Sequence, residues 1–173
     1  MDIKQFDDKG IVSLGNLNRM AKVMKKAEAG GNITVGMLGG SITQGSLSST
    51  SETCYAYLIY QWWVNKFKYS KVKYVNSGIG GTTSQFGIAR VESDLLAYNP
   101  DFVIVEFSVN DSATELFKET YEGLIRKILM YQSEPAVLIL NNMQYNDGVS
   151  AQVIHNEVGA AYDLPMVSIK DSL

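Results

Sequence analysis

The sequence predicts a three-layer α/β/α domain built on a parallel sheet. Short apolar runs alternate with stretches of helical periodicity along the 173 residues. This alternation is typical of parallel strands that are joined by helical crossovers. Apolar residues make up 46% of the chain, which excludes a disordered protein and suits one domain spanning residues 1–173.

The N-terminal segment, residues 1–31, is predicted to be helical. Residues 15–29 favour a helix, which Gly30 and Gly31 would end. No signal-peptide core precedes this helix, so the chain is expected to be cytoplasmic, or secreted after removal of a signal. No apolar run approaches the ~20 residues that span a bilayer, so no membrane partner is expected.

Five strands and four further helices follow that segment. The strands are predicted at residues 33–38, 72–75, 101–107, 135–140 and 165–169. The helices are predicted after a capping box at 49–52, over 84–98, from a capping box at 112–115 to about 132, and over 150–162. Right-handed crossovers give a five-stranded parallel sheet in flavodoxin-like order. Ligands bind beyond the carboxyl ends of such strands, so the residues that follow each strand are the candidate site residues.

Charge and residue counts exclude several kinds of site. With 15 basic and 18 acidic residues the net charge is −3, so no nucleic-acid partner is expected. The single cysteine, Cys54, excludes an intrachain disulfide and a cysteine-based zinc site. The single histidine, His155, is the one imidazole that the chain offers to any mechanism.

Ser41 follows two glycines at the end of the first predicted strand. A sharp glycine turn would expose its hydroxyl and direct its N–H into the crevice, which suits a nucleophile that also binds an oxyanion. A serine in an ordinary turn, or a helix N-cap, explains Ser41 equally well when it is taken alone. Residues 40–45 also have the glycine spacing of a phosphate-binding loop, but Ser46 stands where that loop needs lysine.

The next two strand ends offer hydrogen-bond donors. The turn at residues 78–81 would expose backbone N–H groups, although each glycine there is also compatible with a tight turn. Asn110 offers an amide after the third strand. Asp111 is the better placed of the two to cap the helix that follows.

Together, the three strand ends resemble the SGNH hydrolases, also called GDSL-type esterases. Residues 39–43 resemble the block around the catalytic serine, with Ser41 as nucleophile. Gly81 matches the glycine of the oxyanion hole, and Asn110 matches its asparagine. Gly40 stands where the family most often has aspartate, a departure that occurs among its sugar esterases. The resemblance of motifs spans residues 33–111.

The resemblance implies a serine esterase that removes small acyl groups, such as acetyl, from carbohydrate or similar esters. Ser41 would attack the ester carbonyl, while the N–H groups of Ser41 and Gly81 and the Asn110 amide would hold the oxyanion. No metal and no organic cofactor are implied. Two alternatives remain: a non-catalytic carbohydrate-binding domain or degenerate esterase, and a flavodoxin-like nucleotide-binding module, against which the missing lysine counts.

The family's Asp-x-x-His block, which supplies the general base, is not found in this sequence. His155 has Gln152 three residues before it and lies in a predicted helix, so it is expected to be a surface or packing residue. The chain is therefore expected to be a nearly inactive fragment that lacks the catalytic loop and the C-terminal helix. The sheet face left uncovered would favour a homo-oligomer.

Overall fold

A mixed six-stranded sheet forms the centre of the protein, whose computed structural model describes residues 8–172. The strands are β1 Ile11–Ser13, β2 Ile33–Gly39, β3 Val72–Gly78, β4 Phe102–Glu106, β5 Ala136–Asn141 and β6 Met166–Ser168. Their order in the sheet is β1-β6-β5-β4-β2-β3. Strands β2 to β6 run parallel, and their order is the predicted flavodoxin-like one.

Helices cover both faces of this sheet. Within the described residues, the α-helices are α1 Asn18–Glu28, α2 Ser41–Gln44, α3 Tyr55–Lys66, α4 Ser84–Asp94, α5 Glu115–Leu129 and α6 Gln152–Ala161. Helices α1 and α3 pack on one face, and α4, α5 and α6 pack on the other. Successive strand residues point to opposite faces, so Met37 and Leu38 are both fully buried in different cores. No helix in this part of the chain is both long and apolar enough to cross a membrane.

The predicted count of five strands is wrong, because β1 adds an antiparallel edge strand beside β6. This strand has only three residues, its register is irregular and Ile11 is exposed. The sequence therefore contains no apolar run from which the strand could be predicted. Within the segment predicted as helical, residues 1–7 lie outside the described residues, and helix α1 begins at Asn18 rather than at residue 15.

Helix starts and ends differ from the predictions by a few residues. The first capping box joins Thr50 to Thr53 rather than spanning residues 49–52, and it opens a short 3-10 helix before α3. Helix α5 begins after Thr114, which makes no side-chain cap, so the box predicted at 112–115 is absent. Helix α4 ends at Asp94, before a separate 3-10 turn. The sequence thus predicted where these helices lie, but not the residues at which they begin and end or the hydrogen bonds that cap them.

The face beside α1 is covered less completely than the opposite face. Leu138, Val167 and Ile169 lie on this side of β5 and β6 and remain partly exposed. Ile139 and Met166, which point to the other face, are buried under α5 and α6. The expected uncovered surface is therefore a narrow strip along β5 and β6.

Candidate active site

Ser41 lies at the first position of α2, directly after the glycines that end β2. A side chain at Gly39 would meet the Thr43 hydroxyl and, at 2.5 Å, the Glu106 carbonyl, so the turn requires glycine there. A side chain at Gly40 would meet only the end of the Asn110 side chain closely, at 2.8 Å from Nδ2. Ser41 is half-buried, and its hydroxyl makes no hydrogen bond to any residue from 8 to 172. An unpaired hydroxyl at a helix N-terminus is free to meet a substrate.

The turn after β3 brings a second donor to Ser41. A Cβ at Gly80 would lie 3.8 Å from Ser41 Cβ, so the two turns are in contact. The Gly80 N–H donates to Gln44 Oε1 over 2.7 Å and is occupied. Gly81 has a φ of +71°, and no atom lies within 4 Å of where its side chain would be. Its N–H has no acceptor in the described part of the chain, so this donor is open.

Asn110 connects the turns after β2, β3 and β4. Its Nδ2 donates to the Thr82 carbonyl over 2.7 Å and lies beside Gly40. A side-chain amide carries two hydrogens, so one hydrogen remains available on Asn110. The structure thus brings together the three turns that carry Ser41, Gly81 and Asn110.

Asp111 does not cap the helix that follows it, contrary to the expectation from sequence. Its Oδ1 instead accepts the Ser84 N–H over 2.9 Å, so it caps α4, which follows the Gly81 turn. Its side chain is completely buried. A carboxylate at a helix N-terminus is favoured by the helix dipole and by the free N–H groups there.

His155 is fully buried in α6, so the prediction of a surface position is wrong and that of a packing position is confirmed. Its Nε2 lies 3.0 Å from Asp111 Oδ2, and its ring stacks on Tyr121 with centroids 3.7 Å apart. Burial lowers the pKa of His155, which favours the neutral imidazole, although Asp111 opposes the shift. An ionised carboxylate can only accept, so Nε2 of the neutral imidazole donates when it bonds one. The imidazole is engaged with Asp111 and makes no hydrogen bond to Ser41.

A buried carboxyl group, that of Glu106, is hydrogen-bonded to α2. Glu106, at the end of β4, accepts a hydrogen bond from Thr43 in α2 over 3.1 Å, and Thr43 also bonds Tyr55 over 2.8 Å. Burial raises the pKa of Glu106 to about 7, although the Thr43 hydrogen bond lowers it. The sequence carried a signal for this group, since a charged residue within an apolar strand must be buried with a partner.

An open cleft of about 370 Å³ begins at Ser41. Two loops form its walls, at residues 45–48 and 142–149. Leu47 and Tyr145 line it and are largely exposed, and Leu47 has a φ of +65°. Apolar side chains held in solvent beside an unpaired hydroxyl offer a surface to the non-reacting part of a substrate.

Metal ions in proteins are bound by clusters of acidic, histidine or cysteine side chains. Within residues 8–172, no group of three or more histidine, cysteine, aspartate or glutamate side chains is arranged to hold a metal ion.

Solved structures share this fold. A two-domain esterase (CEX) active on acetylated mannans, crystallised with mannopentaose, superposes with a TM-score of 0.94 at 54% identity, covering 95% of this chain and 45% of that chain. The acetyl xylan esterase AlAXEase superposes with a TM-score of 0.64 at 22% identity, covering 80% and 78%. The chain therefore spans less than half the length of the two-domain esterase.

Comparison with known sequences identifies the family to which the chain belongs. Thioesterase 1/protease 1/lysophospholipase L1 of Escherichia coli (strain K12) is 29% identical over 143 residues, which are 78% of this chain and 65% of that protein. The model of the GDSL-like Lipase/Acylhydrolase family matches residues 37–167, a range that contains all three candidate turns. The chain belongs to the GDSL-like lipase/acylhydrolase family, also known as the SGNH hydrolases.

Proposed function

We propose that this protein hydrolyses carboxylic esters and removes small acyl groups, acetyl above all, from carbohydrates. The observation that carries the proposal is the unpaired Ser41 hydroxyl, which faces a cleft and lies beside two turns with open donors. The 54% identity to an esterase active on acetylated mannans supports acetylated carbohydrate as the substrate class.

Ser41 is the proposed nucleophile. Its Oγ attacks the ester carbonyl while a general base takes the hydroxyl proton, which gives a tetrahedral intermediate. The intermediate collapses to an acyl-enzyme when that proton passes to the oxygen of the departing sugar alcohol. Water then hydrolyses the acyl-enzyme and regenerates the serine. The N–H groups of Ser41 and Gly81, with the second hydrogen of the Asn110 amide, hold the negative oxygen of each intermediate.

The general base for Ser41 is proposed to come from outside residues 1–173. The one histidine in this chain, His155, is engaged with Asp111. Residues Lys170–Ser172 lie beside the loop that forms one wall of the cleft, because Lys170 Nζ donates to the Gly148 carbonyl over 2.9 Å. The last described residues therefore lie next to this loop.

A second candidate function is carbohydrate binding without hydrolysis. The commitment of His155 to Asp111 favours it, since a serine without a base stays protonated and attacks poorly. In that case the cleft would hold a sugar, and the open donors would bind its oxygen atoms.

The test is an ester-hydrolysis assay on the protein carried through to its natural C-terminus. We expect it to hydrolyse p-nitrophenyl acetate and to release acetate from acetylated mannan. Ser41→Ala should lower kcat by at least roughly 10³-fold, because the nucleophile is lost. A fluorophosphonate probe should label Ser41.

Ser49→Ala is the matched control, because Ser49 is exposed nearby in the sequence and does not line the cleft. We expect this variant to keep the wild-type kcat. Undiminished hydrolysis by Ser41→Ala would overturn the assignment of the nucleophile. Sugar binding without hydrolysis by the wild-type protein would establish the second candidate.

A further inference from the structure

One buried carboxylate connects the two turns that carry the oxyanion donors. Asp111 follows Asn110 directly, and its own N–H donates to the Phe107 carbonyl over 2.9 Å. Through Oδ1 it accepts the Ser84 N–H, three residues after Gly81. A shift of the Asp111 side chain would therefore move both donors.

The second oxygen of this carboxylate is held by His155. The His155 Nε2 to Asp111 Oδ2 distance is 3.0 Å, and both side chains are completely shielded from solvent. Tyr121 holds the imidazole ring by stacking at an interplanar angle of 9°. The other ring nitrogen, Nδ1, has no partner in residues 8–172, so Asp111 is the polar contact that fixes this ring.

We propose that His155 is a positioning residue of the oxyanion hole. By donating from Nε2, it fixes the Asp111 carboxylate, and through it the relative placement of the Gly81 N–H and the Asn110 amide. This inference rests on the proposed function and assigns His155 no contact with substrate. Oxyanion donors stabilise a transition state only when they are in place before the charge develops, so the position of Asp111 sets kcat rather than substrate affinity.

Two substitutions separate this role from the alternatives. His155→Leu fills a similar volume and removes the donor. His155→Gln places an amide N–H near the position of Nε2 and can still donate to Asp111. All kinetics use the protein through its natural C-terminus, with active enzyme counted by fluorophosphonate labelling of Ser41.

We expect His155→Leu to lower kcat by about 10- to 100-fold, with KM within about twofold of wild type. His155→Gln should recover most of the lost kcat. A loss of roughly 10⁴-fold or more in both variants would identify His155 as the general base and overturn the proposal. An unchanged kcat in folded His155→Leu would also overturn it.

A second measurement does not depend on activity. Amide hydrogen exchange should show Ser84 N–H protected in the wild type and in His155→Gln, and unprotected in His155→Leu, because Asp111 no longer holds it. If His155→Leu does not fold, His155→Asn replaces it, since its shorter amide cannot reach Asp111. An inactive wild-type protein would refute the proposed function alone, whereas protected Ser84 in the donor-free variants would refute the role of His155.

Discussion

The two sides of Ser41 are held in different ways. On the oxyanion side, residues 80–84 and 107–111, side chains bond one turn to another: Asn110 to Thr82, and Asp111 to Ser84. On the cleft side, residues 45–48 and 142–149, the outer part of each loop is held by local backbone bonds, such as the one from the Gln144 N–H to the Val149 carbonyl. The inner ends of these loops bond the Ser41 carbonyl, through Ser46, and the Ser108 hydroxyl, through Asn142. The bond that joins the two oxyanion turns, from Ser84 to Asp111, is buried, whereas Leu47 and Tyr145 on the outer part of the cleft loops are largely exposed.

This difference matches two separate requirements of an esterase. Donors that stabilise an oxyanion must be rigid before the reaction, because reorganisation during it would cost the stabilisation. The surface that contacts the alcohol part of the ester has to accommodate different alcohols, so loops that can change conformation suit it. Loops with few contacts to the rest of the protein open easily. The fixed side is thus suited to the chemistry shared by all esters, and the open side to the particular substrate.

Asn110→Ala removes a donor from the oxyanion side and has the largest expected effect on kcat. Loss of one oxyanion donor should lower kcat by ~10²–10³-fold with little change in KM, as measured by steady-state kinetics. Asn110 also bonds the Thr82 carbonyl, so thermal unfolding must be measured in parallel. A variant that mainly unfolds, with normal kcat for its folded fraction, would make Asn110 a structural residue only.

Glu106→Gln tests the buried support below α2. The folded pKa of Glu106 is about 7, above the ordinary value of 4.5, so the stability that its proton contributes is lost as the pH rises towards and through 7. Between about pH 5 and pH 8, the wild type should lose up to roughly 3 kcal/mol of unfolding free energy that Glu106→Gln keeps. Urea denaturation at both pH values measures this difference.

The control for Glu106 is the exposed Glu119 on α5. Glu119→Gln makes the same change of carboxyl group to amide on the protein surface and shows what that change does without burial. If the free energy of unfolding changes with pH in the same way for the wild type and Glu106→Gln, ionisation of Glu106 does not destabilise the folded protein.

Leu47→Gly alters the open side and has the smallest expected effect. Leu47 is fully exposed and adopts a φ of +65°, which glycine tolerates without strain. The substitution should stabilise the fold by about 0.5–1 kcal/mol, as measured by thermal unfolding. Because the loop contacts Ser41 through the Gly45 and Ser46 N–H groups rather than through Leu47, kcat for a small ester should stay unchanged.

Glu134→Gly is the matched control, since Glu134 also has a positive φ, of 45°, and lines a different surface pocket. Similar stabilisation in both variants would attribute the effect to backbone strain. A large fall in kcat for Leu47→Gly alone would show that the cleft side helps to fix the catalytic groups, and would remove the contrast between the two sides.

Most of the sheet could be predicted because its central strands, β2, β4 and β5, are buried on both faces. Residues 102–106 and 136–141 read as apolar runs for that reason, and glycine turns mark where the first two parallel strands end. The strand order followed from the handedness of crossovers. The short strand β1 could not be predicted, since its partner β6 lies at the far end of the chain, where Ile11 pairs with Val167.

The three candidate turns could also be placed from sequence, because parallel strands align their carboxyl ends at one edge. The Asp111–His155 pair could not, since it joins residues 44 positions apart on different elements. A partial signal did exist: His155 lies on the face of α6 that also carries Ile154, Val158 and Gly159. A histidine on a buried helical face needs a polar partner, but periodicity does not identify the partner.

The antiparallel pairing of β1 with β6 places the beginning and the end of the described chain side by side. A side chain at Gly10 would contact Ser172 at 3.1 Å. Because β1 and β6 pair, a short linker can join residues 8 and 172 without disturbing the core. For the same reason, a circular permutant that connects residue 172 to residue 8 and opens within the exposed loop at 145–147 should keep this fold.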